Sequence, residues 1–421
     1  MCKAVIQSKA LGIAVLILGG VLSACGGLGR NAHSSASASS LKVEAEALSA
    51  LSVSVKDSAY GAKGDGVTND TAAIQKAISA VAGTGGKVTV PAGTYMVNPA
   101  ANNGVGLRMG SDMTLSFDSG AILQALPTST PNYIVLLVSG VKNVNILGGT
   151  IVGNRYSNSI TSIVEGGNGL QVVGSQSVVV TGLTTKNCWA DGIYVGAISQ
   201  NVALNNVVSS GNRRAGMSVT SVDGLVVKGC TFMNSSGLME NGTLVCGLGV
   251  NLEPNPGGTV NNVQFTGCIF TANAAEGLGF GPSVANRGKA FVTNIVADGN
   301  TAMGNGLRLG GAPGISVSNT SGHKVRNNVV KNNLGCGILL RNHANGILVT
   351  GNTVTGSTAA AKTGNVGYGI LVYDSAGSTV TGNTITSNAG CGIRDAYPSD
   401  PASPNTIAPN TLSNNNPDTC K

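Results

Sequence analysis

Aromatic and charged residues are scarce in this chain: of 421 residues, 4% are Phe, Trp or Tyr and 10% are Asp, Glu, Lys or Arg. Such a composition excludes a core built around large rings and long surface helices laced with ion pairs. Histidine occurs three times, which argues against a His-based metal centre; no Cys-x-x-Cys pair suggests zinc. No Lys/Arg run or basic-aromatic interleaving suggests nucleic acid. Glycine, by contrast, reaches 62 residues. That abundance suits short β-branched strands joined by many turns around an interior of small side chains.

The turns recur. Gly followed by an apolar residue appears at Gly169-Leu170, Gly192-Ile193, Gly216-Met217, Gly249-Val250, Gly277-Leu278, Gly306-Leu307, Gly337-Ile338, Gly369-Ile370 and Gly392-Ile393, at intervals of 23 to 33 residues. An uninterrupted period in this range predicts one solenoid of stacked coils. Strand alternation then sends Ile193, Val195, Met217, Val219, Val250, Leu252, Leu278 and Phe280 inward. Tyr194, Ser218, Asn251, Glu253 and Arg308 point outward, onto an exterior face that suits an extended chain. A second column holds Asn206, Cys230, Cys268, Asn328, Asn352 and Asn383, each with an apolar residue two positions on. Inward asparagines there would satisfy buried backbone groups and one another.

Met1 to Ala24 reads as a secretory signal, with Lys3 and Lys9 ahead of an apolar run too short to span a bilayer. Leu22-Ser23-Ala24-Cys25 resembles the lipobox of bacterial lipoproteins. The resemblance implies cleavage before Cys25, acylation of that cysteine and, with Gly26 next to it, an outer-membrane address. Residues 25–52 are small and polar, a flexible tether. Without Lys3 and Lys9 the chain keeps 23 basic against 18 acidic residues, a balance compatible with an anionic glycan. In an oxidising compartment Cys230 and Cys268 would lie one strand spacing apart, bonded or stacked as thiols, and Cys391 and Cys420 could staple the C-terminal end. His323 and His343 read as solvated turn residues.

Ordered structure is expected from residue 53. Ile74, Ala77, Ile78 and Val81 keep helical spacing behind an Asn69 or Asp70 cap, and Lys87 to Val90 reads as a strand leading into the bend at Pro91-Ala92-Gly93. This block, from Tyr60-Gly61-Ala62-Lys63-Gly64-Asp65-Gly66 onward, closely resembles the start of the pectin-lyase-like superfamily. That likeness implies an all-β, right-handed parallel β-helix with a short N-terminal capping helix, here over residues 53–396, with residues 397–421 as a terminal cap or tail.

Chemistry is expected on neighbouring coils around Asp191, Arg213, Arg214, Asn251, Glu253 and Glu276. Paired carboxylates beside arginines are what glycosidic cleavage needs: an acid, a base or nucleophile, and cations to hold an acidic sugar. Trp189-Ala190-Asp191-Gly192-Ile193 resembles the Asn-Thr-Asp-Gly-[Ile/Phe] segment of family-28 glycoside hydrolases, which implies a catalytic Asp191. Where that family carries Asp-Asp and Gly-His-Gly, this chain has Arg214-Ala215 and Gly247-Leu248-Gly249. The first reading is a hydrolase of an acidic polysaccharide with Asp191, Glu253 and Arg214 catalytic. Trp189, Tyr194, Arg213, Ser218, Asn251, Glu276 and Arg308 would bind substrate. It needs no cofactor. The alternatives are a lyase or epimerase of the same fold, in which an arginine is the base and calcium is possible, and a non-catalytic glycan-binding lipoprotein.

Overall fold

The computed structural model describes residues 51–158, 166–237, 245–308, 311–359, 367–396 and 398–420. The signal segment, Cys25 and the tether lie outside the described residues. Within them the chain winds through three parallel sheets as a right-handed parallel β-helix. Sheet A has 13 strands, from Ser52–Ser54 to Thr406–Ile407. Sheet B also has 13, from Asp65–Asn69 to Thr411–Ser413, and sheet C has 12, from Val105–Arg108 to Thr419–Cys420. The stretch read as a terminal tail therefore carries a further strand of every sheet.

The helix Thr71–Val81 buries Ile74, Ala77, Ile78 and Val81, the stripe its spacing predicted. Asn69 supplies the side-chain cap: its Oδ1 accepts the Thr71 N–H at 3.2 Å and the Thr71 hydroxyl at 2.6 Å. Asp70 instead accepts the N–H groups of Lys63 and Gly64, at 2.7 and 3.0 Å, tying the preceding loop to the helix. These contacts give the helix a fixed seat beside the first strands.

The recurring glycine marks the entry into the sheet C strands from Leu170 to Ile393, and proximity rather than a left-handed backbone requires it. A Cβ on Gly192 would sit 2.0 Å from Ser209 Oγ, and one on Gly277 would sit 2.7 Å from both Asn305 Nδ2 and the Gly314 carbonyl oxygen. No neighbour could yield that much inside a packed coil. One member of the expected series is misplaced. Leu278 pairs with Ile315, and Ile315 with Ile338, so the glycine of that coil is Gly314. Gly306-Leu307 belongs to a longer connection, running from 304 to 314 where the preceding coil uses 272 to 277. Its Gly-Leu pair imitates the repeat by chance.

The asparagine column is confirmed from residue 300 onward. Asn300, Asn328, Asn352 and Asn383 are buried and Asn410 follows them; each Oδ1 accepts the N–H of its counterpart one coil earlier, at 2.9 to 3.0 Å. Each Nδ2 donates to a carbonyl of the neighbouring coil, as Asn328 does to Ala297 at 3.0 Å. Asn206 is not a member. Val208 pairs with Thr231, which makes Val207 the counterpart of Cys230, while Asn206 occupies the adjacent turn position at φ 52°. Asn recurs at both places for different reasons, one a ladder and one a left-handed turn. A second ladder, between sheets B and C, runs through Asn273, Asn305 and Asn333, with Asn388 and Asn415 beyond.

Cys230 and Cys268 are buried thiols stacked on adjacent coils, and Cys391 and Cys420 form a disulfide with Cα atoms 6.0 Å apart. His323 corrects its expectation: it is buried, not solvated. Its Nδ1 accepts the Ile295 N–H at 3.1 Å, so Nε2 carries the proton and donates to Thr320 Oγ1 at 2.6 Å. Burial pushes its pKa down to about 4. The ring beside it is Phe280, edge-on with centroids 5.5 Å apart, while Phe232 and Phe270 stack elsewhere at 5.8 Å.

Candidate functional site

Every residue expected to point inward from sheet C is buried, which leaves the intervening positions for the exterior face. Ile193, Met217 and Val250 share one register, so Tyr194, Ser218 and Asn251 form a row across three coils. Tyr194 shares a hydrogen bond with Thr220 at 2.7 Å, and Asn251 Nδ2 donates to Glu253 Oε2 at 3.1 Å. Ser218 belongs to the row but is largely covered.

Asp191 stands at the other end of these strands. Its side chain is fully buried; Oδ1 accepts the Ala215 N–H at 2.9 Å, and its own N–H donates to Asn168 Oδ1 at 3.2 Å. Oδ2 lies 3.6 Å from Arg214 Nη1, and the Arg214 side chain keeps 12% of its surface exposed. The outermost charged group of this pair is thus the guanidinium. Asp191 lies behind it, fastened to the turn of the next coil.

Trp189 and Arg213 are not available to a sugar in this arrangement. Trp189 is 2% exposed, and the Arg213 guanidinium carbon lies 4.4 Å from its ring centroid. Arg213 Nε donates to the Trp189 carbonyl. The two side chains fill the connection between sheets B and C as a cation–π pair, a structural use that the aromatic-platform expectation did not anticipate. Burial, then the nearby Arg214, lowers the Arg213 pKa to about 10.

The structure also separates the expected acid/base pair. Asp191 lies two residues before Ile193, whereas Glu253 lies three residues after Val250, and those two residues are in register two coils apart. At about 3.3 Å per residue that offset alone is roughly 16 Å, well beyond the ~5–9.5 Å between paired glycosidase carboxylates. Glu276, at the position equivalent to Asp191 three coils on, bonds Arg341 at 3.2 Å. Arg308 lies on the long connection after Met303 and not on the sheet C face, a consequence of the misplaced Gly306. Sequence reasoning missed Asn168, Arg155 and Arg341 because each acts across coils, at separations that no local motif encodes.

The sequence profile of the family described as rhamnogalacturonase A/epimerase, pectate lyase-like, matches residues 52–279, more than half of the chain. The chain belongs to this family. In this pectate lyase-like chain the matched segment holds Asp191, Arg214, Asn251 and Glu253 together. A second profile, that of the periplasmic copper-binding protein NosD, matches residues 255–419. The donors there do not fit a copper site: both His323 ring nitrogens are engaged within the wall, and His343 Nδ1 lies 3.0 Å from Asp374. Among the described residues no three His, Cys, Asp or Glu side chains gather as ligands.

The pectate lyase-like chain is 32% identical over 216 residues to an exo-poly-α-D-galacturonosidase of Dickeya chrysanthemi, covering 44% of this chain and 35% of that protein. It is 26% identical over 193 residues to the uncharacterized prophage-derived protein YorA of Bacillus subtilis, covering 39% and 32%. It thus spans less than half the length of these curated relatives. Among solved structures, the A-module of the Azotobacter vinelandii mannuronan C-5 epimerase AlgE4 superposes with a TM-score of 0.59 at 18% identity, covering 88% of this chain and 97% of that one. The Dettilon tailspike protein gives 0.60 at 17% identity, covering 85% and 68%. At these identities the likeness is one of fold.

Proposed function

We propose that the protein acts on an acidic polysaccharide laid along the exterior of sheet C, with Arg214 receiving a sugar carboxylate. The observation that carries this reading is the Asp191–Arg214 pair at the strand entrance, a buried carboxylate holding a partly exposed guanidinium. The planar fork of arginine matches a carboxylate in two parallel hydrogen bonds, and Asp191 keeps that fork oriented before substrate arrives. Family membership supports a polysaccharide substrate, and the galacturonosidase relative supports an acidic one.

Of the two cleavage chemistries, the geometry favours abstraction of the proton α to a uronate carboxylate. That step needs one base and one cation to disperse the charge that develops on the carboxylate. Arg214 is the cation that disperses this charge, and Asp191, buried behind it, holds the guanidinium in place. Hydrolysis needs a second carboxylate close by, and neither Glu253 nor Glu276 supports that need. It remains the second reading because the Trp189-Ala190-Asp191-Gly192-Ile193 segment resembles that of family-28 hydrolases and the Dickeya relative is named a galacturonosidase.

Incubating the full chain with polygalacturonate, alginate and a neutral glucan, while following reducing ends and the ultraviolet absorbance of unsaturated uronates, separates these outcomes. Reducing ends that rise together with absorbance identify elimination, and reducing ends alone identify hydrolysis. Binding without either product would leave a glycan-binding protein. We further propose envelope anchoring through acylated Cys25, for which incorporation of labelled palmitate into the wild type but not into Cys25→Ser is the test.

A further inference from the structure

The connections between sheets B and C bear a second feature, separate from the exterior of sheet C. A cleft of about 330 Å³ opens beside the ends of three successive strands of sheet B, at residues 211, 234 and 272. Arg155, Tyr156, Ser235, Ser236, Leu307 and Arg308 wall it. Tyr156 and Leu307 present apolar surface to solvent, 69% and 52% exposed, in a chain with few exposed large apolar residues. Arg155 is fixed in place: its guanidinium carbon lies 4.9 Å from the Tyr156 ring centroid, and Nη1 donates to the Gly211 carbonyl at 2.8 Å. Arg308 is exposed, with its backbone N–H anchored on Ala274 at 3.1 Å.

Ser235 is 1% exposed, lines the cleft, and its Oγ has no hydrogen-bond partner among the described residues. A buried hydroxyl left unsatisfied costs about 1–3 kcal/mol, so such groups are normally engaged. Arg155 and Arg308 bring two guanidinium groups to the cleft, and Glu276, on the same connections, is paired to Arg341.

We propose that this cleft binds a uronate residue of an acidic polysaccharide, at a site distinct from the one on sheet C. The carboxylate lies between Arg155 and Arg308, and an apolar ring face rests on Tyr156 and Leu307. Such a combination of an aromatic surface and two cations selects an anionic sugar over a neutral one. The inference rests on the acidic-polysaccharide reading, and it would let one glycan chain be held at two places on the same coils.

Calorimetric titration of the full chain with a short oligogalacturonate tests it, using wild type, Arg308→Ala, Tyr156→Ala and Arg214→Ala, each checked to be folded at the titration temperature. Two sites are expected in the wild type. Arg308→Ala and Tyr156→Ala each weaken one of them at least tenfold, and Arg214→Ala weakens the other. One site, lost with Arg214→Ala and untouched by Arg308→Ala, would overturn the cleft and leave the proposed function standing. One site, lost with Arg308→Ala alone, would overturn the sheet C reading and support the cleft. No binding in any variant would overturn both.

Discussion

From residue 300 onward each coil repeats the same turn asparagine, whereas in the coils before it Val207, Cys230 and Cys268 fill that position. The two regions stack the same three sheets, yet at the turns between sheets A and B one is tied by a hydrogen-bond ladder and the other is packed by apolar and sulfur-bearing side chains. The charged groups at strand entrances follow the same division: Asp191, Arg213 and Arg214 fall before the ladder begins. A laddered turn fixes the geometry of the next one. Apolar packing at the earlier turns constrains volume, whereas the arginines and their carboxylate sit on the connections between sheets B and C, where Asn212 Oδ1 accepts the Cys188 N–H at 3.0 Å.

Breaking the ladder should give the largest effect on stability. Asn328→Ala removes the acceptor of the buried Asn300 N–H and the donor to the Ala297 carbonyl, leaving both without partners. A loss of about 3 kcal/mol in denaturant titration is expected, with activity per folded molecule unchanged. Arg214→Ala should add a loss that Asn328→Ala lacks: kcat/KM per folded molecule on an acidic polysaccharide falls on the order of a hundredfold, about 2.7 kcal/mol, beside the destabilisation of leaving the buried Asp191 carboxylate without its cation. Equal kcat/KM per folded molecule in both variants would erase the contrast between the regions.

His323 offers a finer probe of the laddered region. Its folded pKa of about 4 lies below the ordinary 6.5, so the unfolded chain binds the proton more readily in that interval. Stability from this residue is complete above pH 6.5 and is lost as pH falls towards 4, reaching about 2 kcal/mol by pH 5. His323→Asn keeps a polar side chain at a position where Asn405 does equivalent work for Ser378. Unfolding free energy followed from pH 7 to 5 should decline less steeply in that variant than in the wild type. Parallel curves would mean that His323 is not the titrating group.

The β-helix was legible because its two periods are local: glycine before each sheet C strand, and alternation within the strand. Both are imposed by contacts a coil away, as the Gly192 and Gly277 environments demonstrate. Asn206 and Gly306 misled because a left-handed turn and a long connection use the same residue types as the ladder and the strand entry. The site was less legible for a related reason. Alternation says which face a residue occupies but not which end of the strand, and so Asp191 and Glu253 looked like neighbours until the pairing of Ile193, Met217 and Val250 fixed their offset. Burial was equally hidden, since nothing local to Trp189 announces that Arg213, one coil on, covers its ring.

The most direct test of the central claim is kcat/KM on polygalacturonate for the wild type, Arg214→Ala and Arg214→Lys, measured beside a neutral glucan. A loss of about a hundredfold for Arg214→Ala, partial recovery with Lys, and no turnover of the neutral glucan would be the predicted result. Undiminished turnover in Arg214→Ala would contradict it and move the site away from the Asp191–Arg214 pair.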